Sequence, residues 1–322
     1  MKNGFRPIVA FVLALAAVAA HAQPAYPEKP VRIIVGFPAG VAPDIAARIL
    51  AEKLSEAWGK PVVVENVSGA GGNIGADRVA KAVPDGYTLG MVGNGSLIFS
   101  PGMYDKLPFD PVKDFAPVAQ IFVAANALVV PVDSPIKSLP ELVAMARAQP
   151  GKLNWASVTG ATDLVIAAFL KREGLDMAKI PYRDPVQALN DVAEGRLQFY
   201  WSSLAIVRGA IDAGRIKLLA ITSSAPSSIV PGVMTATQAG FPGLTFDGLV
   251  GFYGTRDMPS ELREKIATDV RAALADPVIV DRLQATGQEV VPGSAAEFAA
   301  DIEKQHIGAA ENAKVLGIKA AR

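Results

Sequence analysis

The chain of 322 residues has no cysteine and two histidines, His21 and His306. Without cysteine there is no disulfide framework, so a secreted form must be held by packing alone, as large bacterial periplasmic domains commonly are. His306 is the one histidine past the first 22 residues, in a polar helical stretch read as surface, so a Ser-His-Asp triad or a histidine-rich metal site would rest on that single side chain. An excess of charge is also missing: 31 Lys and Arg balance 31 Asp and Glu. No basic run of five occurs, so nucleic acid or a polybasic membrane surface has no electrostatic footprint here. After the first 22 residues no segment approaches ~18 uncharged apolar residues, the length a membrane helix needs.

The start itself is patterned. Met1 to Arg6 is short and basic, Ile8 to Ala20 is apolar, and Ala20-His21-Ala22 is a small-x-small cleavage site: together a secretory signal peptide, residues 1–22, cleaved near Ala22-Gln23. The apolar run is too short for a stable helix across ~30 Å of hydrocarbon. A mature, soluble protein in the Gram-negative periplasm is expected.

What remains is apolar enough to fold and long enough for two lobes of ordinary domain size. Strand-like runs alternate with helical ones: Val31-Val35, a helix near Ile45-Trp58, Pro61-Val64, a helix near Ile74-Ala82, then Tyr87-Val92. This βαβαβ order predicts an open parallel sheet. The alternation restarts with Ala127-Pro131, a helix opened by the capping box Ser138-x-x-Glu141, Leu153-Ala156, a helix near Leu164-Arg172, Ile180-Pro181, a helix near Val186-Glu194, and Phe199-Tyr200. Apolar crossing segments near Val118-Val130 and Leu249-Tyr253 suggest a chain that leaves one lobe, builds a second and returns. The expected division is residues 23–123 with 247–322 for the first lobe and 124–246 for the second. Helices from Ser260 to Ala275 and from Ser294, capped with Glu297, would pack on the first lobe.

Ser134-Pro-Ile-Lys137 has S-x-x-K spacing, but Pro135 forbids a helix interior and no companion motif exists, so a turn is expected. Gly69-Ala-Gly-Gly-Asn-Ile-Gly75 sits between strand and helix as a dinucleotide loop would. Its spacing fails at Ile74, and the next strand ends in Gly93-Asn94-Gly95 without an acidic residue to hold a ribose. No cofactor is expected. The turns Gly36-Phe37-Pro38-Ala39-Gly40-Val41 and Ser157-Val158-Thr159-Gly160-Ala161-Thr162 place backbone N–H groups at helix starts, where the helix dipole favours an anion such as a carboxylate. Two such turns on facing lobes would clamp one, although either alone reads equally well as an ordinary Gly/Ser loop.

Ordered blocks through nearly the whole chain carry a resemblance: Tyr26-Pro-Glu-Lys-Pro-Val-Arg32, Phe37-Pro-Ala-Gly40 with Asp44, Val62-Val-Val-Glu-Asn66 with Gly69-Ala-Gly-Gly72, Pro84-Asp-Gly-Tyr-Thr-Leu89, Leu107-Pro-Phe-Asp110, Asp114-Phe115 with Pro117-Val118, Pro150-Gly-Lys-Leu153, Pro181-Tyr182 and Leu219-Ala-Ile-Thr222. The sequence resembles the substrate-binding receptors of the tripartite tricarboxylate transporter family, also called the Bug family. The resemblance implies a two-lobed, type II-like periplasmic-binding-protein fold, each lobe a mostly parallel α/β sheet flanked by helices, with the ligand cleft between lobes. It implies no enzyme, catalytic residue, metal or cofactor; the partners implied are a small carboxylate and a transporter with one large and one small membrane subunit, and a monomer is the usual form. Carried onto this chain, the ligand-binding residues are Phe37, Pro38, Ala39, Gly40, Val41 and Asp44, and Ser157, Val158, Thr159, Gly160, Ala161 and Thr162; the Gly69-Gly72 loop lines the cleft or serves packing.

Three positions depart from the family pattern. Val41 stands where a second glycine is usual, Asp163 where a histidine is common, and Tyr200-Trp201 where a Phe-Asp pair is common. Trp201 removes a partner for a ligand ammonium and offers an apolar wall instead, which points to an organic acid, an aromatic one included, rather than an amino acid. Arg183 either pairs a second ligand carboxylate or forms a surface ion pair with Asp184. Two alternatives stay open: a receptor docking on a membrane sensor, and an enzyme on the same fold.

Overall fold

Four of the five residues in Val-Arg-Ile-Ile-Val are β-branched, which favours an extended backbone. They form β1 (Val31–Val35), hydrogen-bonded on both sides and buried at every position except Arg32. The structure, a computed structural model, describes residues 26–318 apart from 94, 101–105, 158–160 and 183. The segment read as a signal peptide, 1–22, lies outside the described residues.

The first half follows the βαβαβ expectation with shifted ends. Helix α1 (Ala42–Trp58) starts three residues before the expected Ile45, because Pro43 is pre-set for a first helical turn; it stops at Gly59 in the left-handed conformation (φ 61°). Then come β2 (Val62–Asn66), α2 (Asn73–Ala80) and β3 (Thr88–Gly93). Strand β4 (Phe115–Ala124) leads into β5 (Asn126–Pro131) through the single residue Ala125.

The second set comprises α3 (Leu139–Ala148), β6 (Asn154–Ser157), α4 (Ala161–Glu173), β7 (Ala178–Lys179), α5 (Pro185–Ala193), β8 (Phe199–Ser203), α6 (Leu204–Asp212) and β9 (Ile216–Ile221). Strand β7 lies just before the expected Ile180-Pro181, since Pro181 has no N–H for the ladder. The chain returns with β10 (Gly248–Thr255), α7 (Ser260–Leu274), α8 (Pro277–Gln284), β11 (Gln288–Gly293) and α9 (Ala295–Leu316). Helices α6 and α8 and strands β9 and β11 are elements that the periodicity did not announce.

The strands form two sheets, β11-β4-β10-β3-β1-β2 and β7-β6-β8-β5-β9. Each is mixed rather than mostly parallel. The βαβ crossovers make β2, β1 and β3 parallel, as they do β7, β6 and β8, whereas the crossing strands enter antiparallel: β10 pairs β3 and β4, and β5 pairs β8 and β9. Each lobe carries apolar clusters on both faces of its sheet, as helix-covered sheets must. Ser294 and Glu297 make the full capping box of α9, while at α3 Ser138 caps the Glu141 N–H and Glu141 turns to the Lys137 N–H at 2.8 Å.

Candidate functional site

Strand β1 ends at the turn Gly36–Val41, and α1 begins at once. Val41 is its N-cap and has no acceptor side chain, so the first N–H groups of the helix receive no side-chain cap. Pro38, Ala39, Gly40 and Val41 are exposed and Phe37 is half-buried. The positive end of the α1 dipole therefore opens at the end of β1, uncapped by any described side chain.

Asp44 shapes this turn. It is 2% exposed, and its Oδ2 accepts the Gly40 N–H at 2.8 Å and Arg48 Nε at 3.1 Å, while Oδ1 accepts Asn66 Nδ2 at 2.8 Å. Asn66 also donates to the Phe37 carbonyl at 3.2 Å and accepts from Arg48 at 2.8 Å. Burial alone would raise the Asp44 carboxyl, but the hydrogen bonds from Arg48, Gly40 and Asn66 outweigh it and hold the group below the usual carboxylate range. Asp44 therefore holds the turn, its two oxygens engaged by Gly40, Arg48 and Asn66. Arg48 and Asn66, the rest of this anchor, were missed; the i,i+4 spacing of Asp44 and Arg48 was the available signal.

The glycine loop lies at the same end of the sheet. A Cβ on Gly75 would lie 2.7 Å from the Val67 carbonyl and 2.9 Å from Gly36 Cα, and one on Gly72 (φ +97°) would lie 2.6 Å from Ser96 Oγ. A Cβ on Gly93 would meet the Phe37 ring at 2.6 Å. These glycines bring the loops after β1, β2 and β3 into backbone contact, with Ser96 Oγ donating to the Gly71 carbonyl at 3.1 Å. Packing against the Gly36–Val41 turn accounts for these glycines.

In the second lobe β6 ends at Ser157 and α4 begins at Ala161; Val158, Thr159 and Gly160 lie outside the described residues, as does Arg183. The Ser157 hydroxyl donates to Asp163 in the first turn of α4, and Lys179 Nζ pairs with the same carboxylate at 2.8 Å. Thr162 is buried. Ala161 and Leu164 pack against the first-lobe cluster that contains Leu97 and Ile98, just past β3. Helix α4 is thereby seated on the first lobe, where it packs along α9. Nearby, Tyr182 donates to Asp191 at 2.7 Å, and burial together with that bond pushes its phenol up to about 12.

Trp201 is placed differently from its expectation. It is fully buried in the second lobe's core, its ring 6.3 Å from Phe246 at a 69° tilt, and its Nε1 has no hydrogen-bond partner among the described residues. Its strand position, in register with Ser157, points the indole under α4 into the apolar layer and away from solvent. His306 on α9 is half-buried rather than a surface side chain, and burial pulls its imidazole below the usual value. Ser134 sits in the expected turn, its Oγ accepting the Ile136 N–H at 3.2 Å.

Comparison with known proteins matches residues 46–310 to the family described as Tripartite tricarboxylate transporter family receptor. A Pseudomonas sp. (strain P51) relative, a UPF0065 protein in the tcbD-tcbE intergenic region, is 34% identical over 93% of this chain and 90% of its own length. An adipate-bound protein of R. palustris has 30% identity and a TM-score of 0.75, covering 91% of this chain and 99% of the other. The periplasmic binding protein BugD has 28% identity and a TM-score of 0.71, with 91% and 99% covered.

Proposed function

The chain belongs to the tripartite tricarboxylate transporter receptor family, and on that footing we propose that it captures a small organic acid between its lobes and delivers it to a membrane transporter of that type. The observation that carries this reading is the start of α1 behind Gly36–Val41, which no described side chain caps, together with the start of α4 behind Ser157, whose Ala161 and Leu164 pack on the first lobe. Each offers backbone donors and a positive dipole end to a carboxylate.

The resident charges support an acid over an amino acid. At these two helix starts Asp44 and Asp163 are both consumed by partners within their own lobes, so neither is offered to a ligand ammonium. Exposed Val41 and Ile74 beside the turn favour an acid with an apolar body, an aromatic one included. The protein is a receptor and not a catalyst, and it acts in the periplasm after removal of residues 1–22. Its lobes comprise 23–123 with 247–322 and 124–246, and their closure on the ligand creates the surface that the large and small membrane subunits recognise. It works as a monomer. Relatives with bound carboxylates, such as the adipate-bound R. palustris protein, support the ligand class.

Thermal melting against mono-, di- and tricarboxylates, aromatic acids and amino acids tests this. A ligand at ~100 times its dissociation constant adds about 2.7 kcal/mol of stability, a clear shift of the midpoint. Stabilisation by one class of acid is expected. Stabilisation by amino acids alone, or by nothing in protein shown to be free of co-purified ligand, would overturn the reading.

A further inference from the structure

Strand β11 opens with two neighbouring side chains that reach in opposite directions, as consecutive strand residues do. Gln288 is 1% exposed and donates from Nε2 to the carbonyl of Ala42 at 2.9 Å, the first residue of α1 behind the ligand turn. Glu289 reaches the second lobe. Its Oε2 accepts Ser227 Oγ at 2.5 Å and the Ser228 N–H at 3.0 Å, and its Oε1 accepts Ser228 Oγ at 2.6 Å.

The two serines move with the second lobe. The residues after them, Ile229 and Val230, pack on the cluster that contains Leu204 and Val207, and Arg208 of α6 donates to the Ile229 carbonyl at 3.0 Å. A few residues away Gly287 (φ +78°) runs so close to the first turn of α6 that a Cβ there would lie 3.0 Å from the Ala205 Cβ. Beside the serines is a cavity of about 220 Å³, lined from one side by Gln120 and Leu249 and from the other by Ser223 and Ser227. The charged carboxylate and its three donors thus form a polar contact beside this cavity, separate from the apolar packing of Ala161 and Leu164 on the first lobe.

We infer that Glu289 is a positioning residue for ligand capture: its clasp on Ser227 and Ser228 holds the lobes in the apposed orientation that seats α4 on the first lobe. Gln288 ties the same strand end to the ligand turn, so lobe orientation and turn geometry are joined through two adjacent residues. Losing the clasp lowers the fraction of molecules in the apposed state, and the apparent affinity falls by that same factor. The ligand part of this inference rests on the carboxylate reading above; the lobe-orientation part does not.

The chain has no cysteine, so Glu56→Cys and Lys152→Cys on exposed positions of the two lobes supply a clean spin-label pair. Distances would be recorded by pulsed electron paramagnetic resonance, without ligand and with adipate, in this background and in E289A, E289Q and S227A/S228A. The expected result is a longer and broader separation in E289A and in S227A/S228A without ligand, with adipate binding about tenfold weaker, and an intermediate response for E289Q, which keeps one acceptor. Unchanged distances in both E289A and S227A/S228A would overturn the inference, as would weaker binding with unchanged distances, which marks a merely local role. A lengthened separation in E289A, in a protein that binds neither adipate nor any other acid, would sustain the clasp and overturn the carboxylate reading.

Discussion

Replacing Asp44 by asparagine tests whether this carboxylate builds the ligand turn or meets the ligand. The side chain keeps its shape, but one oxygen becomes an amide NH2 that faces donors already pointing at it, the Gly40 N–H on one side and Asn66 Nδ2 on the other. One of these two bonds is lost, and a buried donor is left against a donor. A hydrogen bond to a charged group contributes about 1.5–3 kcal/mol, and an unsatisfied buried partner costs about 1–3 kcal/mol. Arg48 is 53% exposed, so its share is discounted for solvent screening. The sum is about 3 kcal/mol, or roughly 5 °C in the midpoint of a chain this size. The sign of the pH dependence follows from the depressed carboxyl of the folded state. Its stabilisation is fully present above the unfolded value of about 3.9 and is lost as pH falls through the folded one, so the gap between wild type and D44N stays constant from about pH 5 to 8 and closes below about pH 3.9. Calorimetry across that range reads stability, and titration with whichever acid stabilises the wild type reads affinity. Both are expected to fall in D44N. Unchanged melting with tighter binding would refute the reasoning, because removing a charge that faced the ligand carboxylate would do that.

Three further outcomes are expected. G93A drives a methyl to 2.6 Å from the Phe37 ring, so it should lower the melting temperature and weaken acid binding together, and a second change, F37L, should recover the melting temperature; a G93A protein that binds and melts like wild type would contradict the packing described. Tyr253 is 1% exposed and its hydroxyl has no partner among the described residues, so Y253F should melt at the same temperature or slightly higher, and a loss above about 1 kcal/mol would reveal a bond not accounted for. W201F removes an unpartnered N–H and part of a core side chain, so it should cost about 1–3 kcal/mol of stability with the acid dissociation constant unchanged, and a specific loss of affinity would return the indole to the cleft.

Local physics wrote much of the molecule into the sequence. The β-branched run Val31–Val35, the left-handed stop at Gly59 and the Ser294-Glu297 box each rest on residues a few positions apart, so propensity and capping suffice to place them. The two helix-start turns were legible for the same reason, and so was membership of a receptor family, because the ordered blocks lie in the chain itself. What spacing could not reveal depends on residues far apart in sequence. The antiparallel entry of β10 and the edge strand β11 follow from where the chain returns. Asp44 takes a hydrogen bond from Asn66, 22 residues on, and Trp201 is buried beneath α4, pairings that no local spacing announces. The Glu289 clasp joins groups 61 and 62 residues apart. The sequence by itself determined which elements and turn chemistry exist, because those are local energies. Only the tertiary structure decided which side chains remain free to meet a ligand, because that depends on partners brought together by packing.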